Sequence, residues 1–365
     1  MEEVTIRRLA KPIEGRIFRQ MRPSGVLMAL ATAILFAAAI LSATQGAVGI
    51  PATTILEILL SRIPLVGEWL GISPYWPAAH EAVVLQIRLP RVVLAAMVGA
   101  SLSVAGATYQ GMFRNPLADP YLIGVASGAG LGGVLALVLP LSPVLYALGI
   151  VQWAAFASAL VTMLVVYLLA RVGSTVPVTT LLLAGVALGA FASAGTSFLM
   201  FMNQEKLSMA YSWLLGGFSL GNWQQVLLTL PYVALGCGII FLHARLLNVL
   251  QLDEEQAAQL GVNVERLKLV LVISATLVTA SAVSVSGLIG FVGLIIPHAV
   301  RLLWGPDYRL LLPMSTLVGG TYLVLADTVA RTVLAPTEIP VGVITAFCGA
   351  PFFLYLLRQR KRMVF

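Results

Sequence analysis

Apolar residues in this chain run on without interruption for whole segments, as in Val26–Leu41 and Leu181–Met202. Alternation with period two, the mark of a half-buried strand or of a lipid-facing barrel strand, is missing from them. A helix that crosses the hydrocarbon core of a bilayer needs about 20 mainly apolar residues. On that basis the pattern predicts ten spans, at about 24–44, 89–109, 121–139, 148–170, 179–202, 224–244, 269–287, a short one near 295–304, 310–331 and 340–357. A long outer segment with Pro51, Pro64, Pro74 and Pro77 follows the first span, and a polar insert covers about 245–268. The predicted class is an all-α polytopic membrane protein, one transmembrane domain over 1–365 with an arm at 1–23.

Composition agrees. Hydrophobic residues make up 59% of the 365 positions and charged ones 10%, against about 45–50% and about 25% in soluble domains. That excludes an ordinary soluble enzyme, a disordered tail and a nucleic-acid module. The net charge of +7 comes largely from the two ends. Arg7, Arg8, Lys11, Arg16, Arg19 and Arg22 precede the first span, and Arg358, Arg360, Lys361 and Arg362 close the chain. Cations concentrate on the cytoplasmic side of membrane proteins, so both ends are placed there and the span count is even. Only five of the 22 cations then fall outside: Arg62, Arg88, Arg91, Lys206 and Arg331. The basic start before an apolar run resembles a signal peptide, but no A-x-A site follows, and a retained first helix is expected. Cys237 and Cys348 lie in apolar runs, which suits buried small hydrophobes better than a disulfide or metal site.

A weak internal repeat is visible. Ser103-Val104-x-Gly106 with Pro116 matches Ser284-Val285-x-Gly287 with Pro297 at one offset, on segments predicted to run in opposite directions. Inverted repeats of this kind occur in transporters. Gly185 with Gly189, and Gly99 with Ser103, have the small-xxx-small spacing that lets helices approach closely in lipid.

Four segments carry candidate chemistry. Arg88-Leu89-Pro90-Arg91 puts two cations on the side where they are disfavoured. They either snorkel to headgroups or, with Arg331, receive an acidic partner. Arg114-Asn115-Pro116-Leu117-Ala118-Asp119-Pro120 cannot continue a helix. It is either a turn capped by Asn115 or Asp119 or irregular backbone lining a cavity, a gate, with Ser286–Gly293 as its counterpart. Leu252–Lys268 predicts two short helices joined by Gly261: Asp253 and Gln256 as a capping box, Gly261 as the stop, and Asn263 as the next cap. This knob is expected to expose Ala257, Ala258, Leu260 and Val262, a partner-binding surface if it is not a solvated loop. Asp327 and Arg331 stand four apart on one helix, an ion pair in preference to a proton-coupling carboxylate. His298 is expected to be structural, not a ligand. No G-x-x-x-x-G-K-[ST], H-E-x-x-H, C-x-x-C or G-x-S-x-G is present, so no catalytic seat is visible.

Together these blocks resemble the FecCD family of ABC importer permeases. The resemblance rests on RLPRVVLAAMVGASLSVAGATYQGMFRNPLADPYLIGVASGAG, LLLAGVALG, LDEEQAAQLGVNVERLK, GLIGFVGLIIPHAVR, LADTVAR and IPVGVITAFCGAPFFLYLL, in order over about 85–357. It implies the type II ABC importer permease fold of ten helices in a homodimer. It also implies two separate ATPase chains inside, a substrate-binding protein outside, and a bulky metal chelate (haem, ferric siderophore or corrinoid, with the first two favoured) as cargo. The protein is then a non-enzymatic subunit of a bacterial or archaeal cytoplasmic membrane, with no cofactor of its own and ATP used by the partner. By the same resemblance Arg88, Arg91 and Arg331 dock the binding protein. Asn115 and Leu117, with Val178 and Thr179, form the cytoplasmic gate. Asp253, Glu254, Ala257, Ala258, Leu260, Gly261 and Val262 couple to the ATPase. The arm before the first span is longer than the family suggests, and Gly217 stands where the family often has Ser. The competing reading is an ion-coupled secondary transporter, which needs carboxylates near mid-membrane; Asp327 is the one candidate. An exporter of the same ATP-driven class would lack the docking partner outside.

Overall fold

The computed structural model describes residues 24–46, 49–64, 66–72, 75–173 and 175–364. The N-terminal arm and its six cations lie outside them. Among the described residues the fold is all-helical. The principal helices are α1 Ser24–Thr44, α2 Ala52–Ser61, α3 Leu89–Met112, α4 Val125–Val138, α5 Ile150–Ala170, α6 Val178–Met202 and α7 Leu207–Leu214. They continue with α8 Trp223–Leu242, α9 Ala244–Val249, α10 Glu254–Gln259, α11 Val264–Ser286, α12 Val292–Trp304, α13 Tyr308–Thr332 and α14 Val341–Val364.

A helix occupies each of the ten apolar runs. Among the described residues, seven are long and apolar enough to cross a membrane: α1, the helical stretch Ala78–Met112 that ends in α3, α5, α6, α8, α11 and α13. The apolar helices α4, α12 and Val341–Tyr355 are shorter. The chain is therefore a multi-pass helical membrane protein. Two features differ from expectation. The outer segment holds the amphipathic helix α2, whose Ile55 and Ile58 are fully buried with Ile50, Trp76 and Val84 in a small separate core. The second span also starts earlier, in a π-helical stretch Val83–Arg88 that leads directly into α3.

α3, α11 and α13 are the buried centre, and α1, α5, α6 and α8 leave most of their surface outside the chain. Small residues make the tight centre possible. A Cβ at Gly99 would strike the Gly319 carbonyl of α13, and one at Gly106 would strike that of Gly293 in α12. Gly185 of α6 lies against the backbone of Leu122 and Ile123, and Gly189 against Gly124. In hydrocarbon such backbone approach replaces the hydrophobic driving force between helices. Hydroxyls at depth bond back to carbonyls of their own helix, as Thr108 does to Val104, Thr279 to Ala275 and Thr328 to Val324, so none of the three is left unpaired.

Two units share one form: a long helix, an irregular stretch, then a short helix. They are α3 to α4 and α11 to α12. Each short helix is entered through a left-handed residue, Gly124 (φ 82°) or Phe291 (φ 68°). The sequence match does not register on this form. It pairs Gly106, inside α3, with Gly287, which caps the end of α11. Cys348 is exposed, contrary to expectation, and Cys237 is partly buried.

Candidate functional site

At the end of the bundle that the charge pattern assigns to the outside, the π-helical stretch and the first turn of α3 turn Arg88 and Arg91 the same way, inward. Both are buried. Arg91 forks onto Asp327, with Nε 3.1 Å from Oδ1 and Oδ2 and Nη2 2.8 Å from Oδ1. Its Nη1 and Nη2 donate to Glu338 at 2.9 and 3.0 Å. Glu338 also accepts from the Ser219 hydroxyl at 2.7 Å. Arg331 Nε lies 3.1 Å from Asp327 Oδ2, so the i, i+4 pair exists, but Asp327 is shared between two arginines. Asp327 is fully buried, and a buried carboxylate is tolerable only with such partners. Burial pushes the Glu338 carboxyl up, but Arg91 and Ser219 outweigh it and hold it below the usual carboxylate range.

The same arginines finish α1. The last carbonyls of a helix have no partner within it. Here Arg88 Nη1 donates to the carbonyls of Ala43 (2.6 Å) and Thr44 (3.2 Å), and Arg331 to those of Ser42 (3.1 Å) and Gln45 (3.2 Å). Cations also suit the negative end of the helix dipole. Lys206 does the same for α4, with Nζ 2.9–3.2 Å from the carbonyls of Leu137, Val138 and Leu139. Arg62 pairs with Glu81. Every one of the five outer cations thus has an internal partner. Arg91 and Arg331 meet on Asp327, with Glu338 also on Arg91, while Arg88 joins Arg331 at the end of α1; sequence reasoning missed Glu338. Glu338 is the one acidic residue between Pro336 and Pro340, a signal too thin to assign.

In the middle, the two irregular stretches cross. The Tyr121 hydroxyl donates to the Ile289 carbonyl at 2.8 Å. Gln110 Nε2 donates to the carbonyls of Gly293 and Leu294 at 3.2 and 3.1 Å, and Arg301 Nη1 donates to Gln110 Oε1 at 3.1 Å. These bonds satisfy backbone that the breaks in the helices set free. They reach the Ser286–Gly293 segment from Gln110 and Tyr121, which flank the predicted loop Arg114–Pro120 on either side.

The loop and the knob lie together at the end that the charge pattern assigns to the cytoplasm. Asn115 Oδ1 accepts from Leu117 N–H at 3.0 Å, and Asp119 Oδ1 from Tyr121 N–H at 2.8 Å. Both expected side-chain turns form. Burial pushes the Asp119 carboxyl up to about 6. Arg114 is held left-handed (φ 50°), and its Nη1 donates to Asp253 Oδ1 at 2.8 Å and to the Leu252 carbonyl at 3.3 Å.

That contact corrects the predicted capping box: Asp253 begins α10 but makes no side-chain cap, because Arg114 holds its carboxylate. Gly261 (φ 83°) stops the helix as expected, with Val262 N–H returning to the Ala257 carbonyl at 3.2 Å. Asn263 caps α11 through Arg266 N–H at 3.0 Å. Of the four residues expected on the knob surface, Ala258 and Leu260 are exposed, Val262 is half-buried and Ala257 is fully buried. Ala257 faces the bundle because a helix this short has one face against α11. Val178 is half-buried and Thr179 exposed at the start of α6.

His298 packs edge-on to Phe352, ring centroids 6.3 Å apart. No group of three His, Cys, Asp or Glu that could hold a metal occurs among the described residues. Gly217 has room for a side chain, its nearest foreign atom being Val341 N at 4.0 Å.

The FecCD transport family matches residues 33–359. The chain belongs to that family. It is 51% identical over 285 residues to a cobalamin import system permease protein of Halobacterium salinarum, covering 78% of this chain and 76% of the relative. It is 43% identical over 281 residues to a hemin transport system permease protein of Yersinia pestis (76% and 84% covered). It is 36% identical over 345 residues to an Fe(3+)-citrate import system permease protein of Bacillus subtilis (94% and 98% covered). A solved structure described as an inward-facing conformation of a metal-chelate type ABC transporter superposes with a TM-score of 0.78 at 34% identity, covering 92% of this chain and 99% of that one. This FecCD chain is thus a membrane permease of the ABC-importer type, and its blocks at Arg88–Arg91, Asn115–Pro120 and Asp253–Gly261 lie inside the matched region.

Proposed function

We propose that this FecCD permease carries a bulky metal chelate into the cell by alternating access, as a homodimer driven by two separate ATPase chains. The observation that supports it best is the knob. Within a chain of this family, a short helix projects an exposed Leu260 and Ala258 from the side that charge assigns to the cytoplasm. Exposed apolar residues on a folded projection suit a partner groove. The binding protein is proposed to dock at Arg88, Arg91 and Arg331, its acidic residues competing with Asp327, Glu338 and the α1 carbonyls that hold these arginines in the free chain, and Asn115, Leu117, Val178 and Thr179 to form the inner gate. The cytoplasmic membrane of a bacterium or archaeon is the proposed location. Relatives named for cobalamin, hemin and Fe(3+)-citrate span the cargo class, and a corrinoid is the first to test.

The face that α6 leaves open, with Leu183, Val186, Phe191 and Phe198, is proposed to meet the second copy and the pathway. An apolar pathway suits cargo that is passed on and not held, since transport works by biasing two states.

Gentle purification from the native membrane tests the assembly. A dimer with two ATPase chains is expected, and loss of the ATPase from a variant with Ala258→Asp and Leu260→Asp. Ala257, being buried, is left unchanged. A chain that purifies alone and transports without ATP would restore the ion-coupled reading.

A further inference from the structure

We infer that Lys268 and Glu265 are positioning residues that tie the knob to the loop ahead of α6, so that movement of the knob reaches Val178 and Thr179. This rests on the reading of the knob as the ATPase seat.

The contacts form a chain through three segments. Lys268, in the second turn of α11, places Nζ 2.8 Å from both carboxylate oxygens of Glu254, the first residue of α10. The same Nζ is 3.4 Å from Glu265 Oε1. The other oxygen, Glu265 Oε2, accepts the backbone N–H of Val176 at 3.2 Å. Val176 is two residues ahead of α6.

Burial makes this chain stiff. The Lys268 side chain is 11% exposed, against 48% for Glu254 and 35% for Glu265, so the cation is the buried member. A surface ion pair contributes about 0–1 kcal/mol and breaks freely, whereas a buried cation that loses its partner carries an uncompensated charge. Lys268 therefore keeps hold of both carboxylates, Glu254 and Glu265. The far end is stiff as well. Val172 and Thr175 exchange backbone hydrogen bonds at 2.9 and 3.2 Å, and Thr180 Oγ1 donates to the carbonyls of Ala170 (3.0 Å) and Pro177 (2.8 Å). A pull on Val176 is passed on to α6. The knob has another link, Arg114 to Asp253, but those side chains are 41% and 75% exposed. Solvent screens that pair, so it transmits little.

The test uses the full chain with its copurified ATPase, with Cys237→Ala and Cys348→Ala, and Thr179→Cys as reporter. A maleimide reads the reporter without nucleotide and with ATP plus vanadate. Nucleotide is expected to change the labelling rate by about fivefold or more, the lower range of coupling between sites. Glu265→Ala leaves Lys268 paired with Glu254 but cuts the link to Val176. It is expected to keep the ATPase bound and hydrolysing while the nucleotide response disappears. Lys268→Met should behave likewise, Lys268→Arg should retain the response, and Arg114→Ala should leave it intact. If Lys268→Met fails to assemble, Glu265→Ala decides. A full response in Glu265→Ala overturns the inference alone, and so does a parent complex whose reporter ignores nucleotide. A parent chain that carries no ATPase overturns it together with the reading on which it rests.

Discussion

Asp327 is closed off from solvent in the last turns of α13, with Arg91 forked onto it and Arg331 behind it. Removing one partner of a buried pair costs about 3–5 kcal/mol, because the remaining charge stays buried. Asp327→Asn is expected to lower stability by about that amount, read as a fall in the thermal midpoint of the detergent-solubilised protein. A midpoint within error of the parent would show that the two arginines are satisfied by Glu338 and the α1 carbonyls alone. Asp119 behaves differently. Its folded pKa of about 6 is above the ordinary value of 3.8, so the folded state binds the proton more tightly. The contribution of this group to stability is greatest below the ordinary value and is lost as pH rises through about 6. Asp119→Asn can keep the turn and should flatten that part of the pH–stability curve; an unchanged slope between the two values refutes this. The i, i+4 pair on α13 was legible in the sequence because one helix brings its members together. Arg91 and Asp327 are 236 residues apart, and no spacing rule covers that.

At the scale of elements, stops were easier to read than faces. Gly261 ends α10 and Asn263 starts α11 because both act through bonds to their immediate neighbours. The burial of Ala257 and the loss of the Asp253 cap depend on α11 and Arg114, outside the helix. The amphipathic α2 was hidden among prolines, although Ile55 and Ile58 lie one turn apart. The most demanding contact is that of α3 with α12. A methyl group at Gly106 would enter the Gly293 carbonyl, and overpacking costs about 1–3 kcal/mol or more. Gly106→Ala should therefore lower the thermal midpoint clearly, while Gly238→Ala, with open space around its Cβ position, should not. Equal midpoints for the two would mean that the helices separate without cost.

For the whole molecule, the buried trio α3, α11 and α13 and the open faces of α1, α5, α6 and α8 describe a subunit with surface to spare. Class, helix positions and family follow from local chemistry along the chain. Hydropathy sums over about 20 neighbouring residues, turn residues act within four positions, and the family blocks are contiguous. No local pattern contains the partners of Arg88, Arg91 and Arg331, the crossing of Tyr121 onto Ile289, or the link from Glu254 through Lys268 to Val176. Those contacts join residues far apart in the chain, and they exist because glycine-lined helices pack closely enough to bring isolated polar groups within bonding distance. Once buried, each such group takes the partner that packing places beside it, because an unpaired polar group away from water is costly.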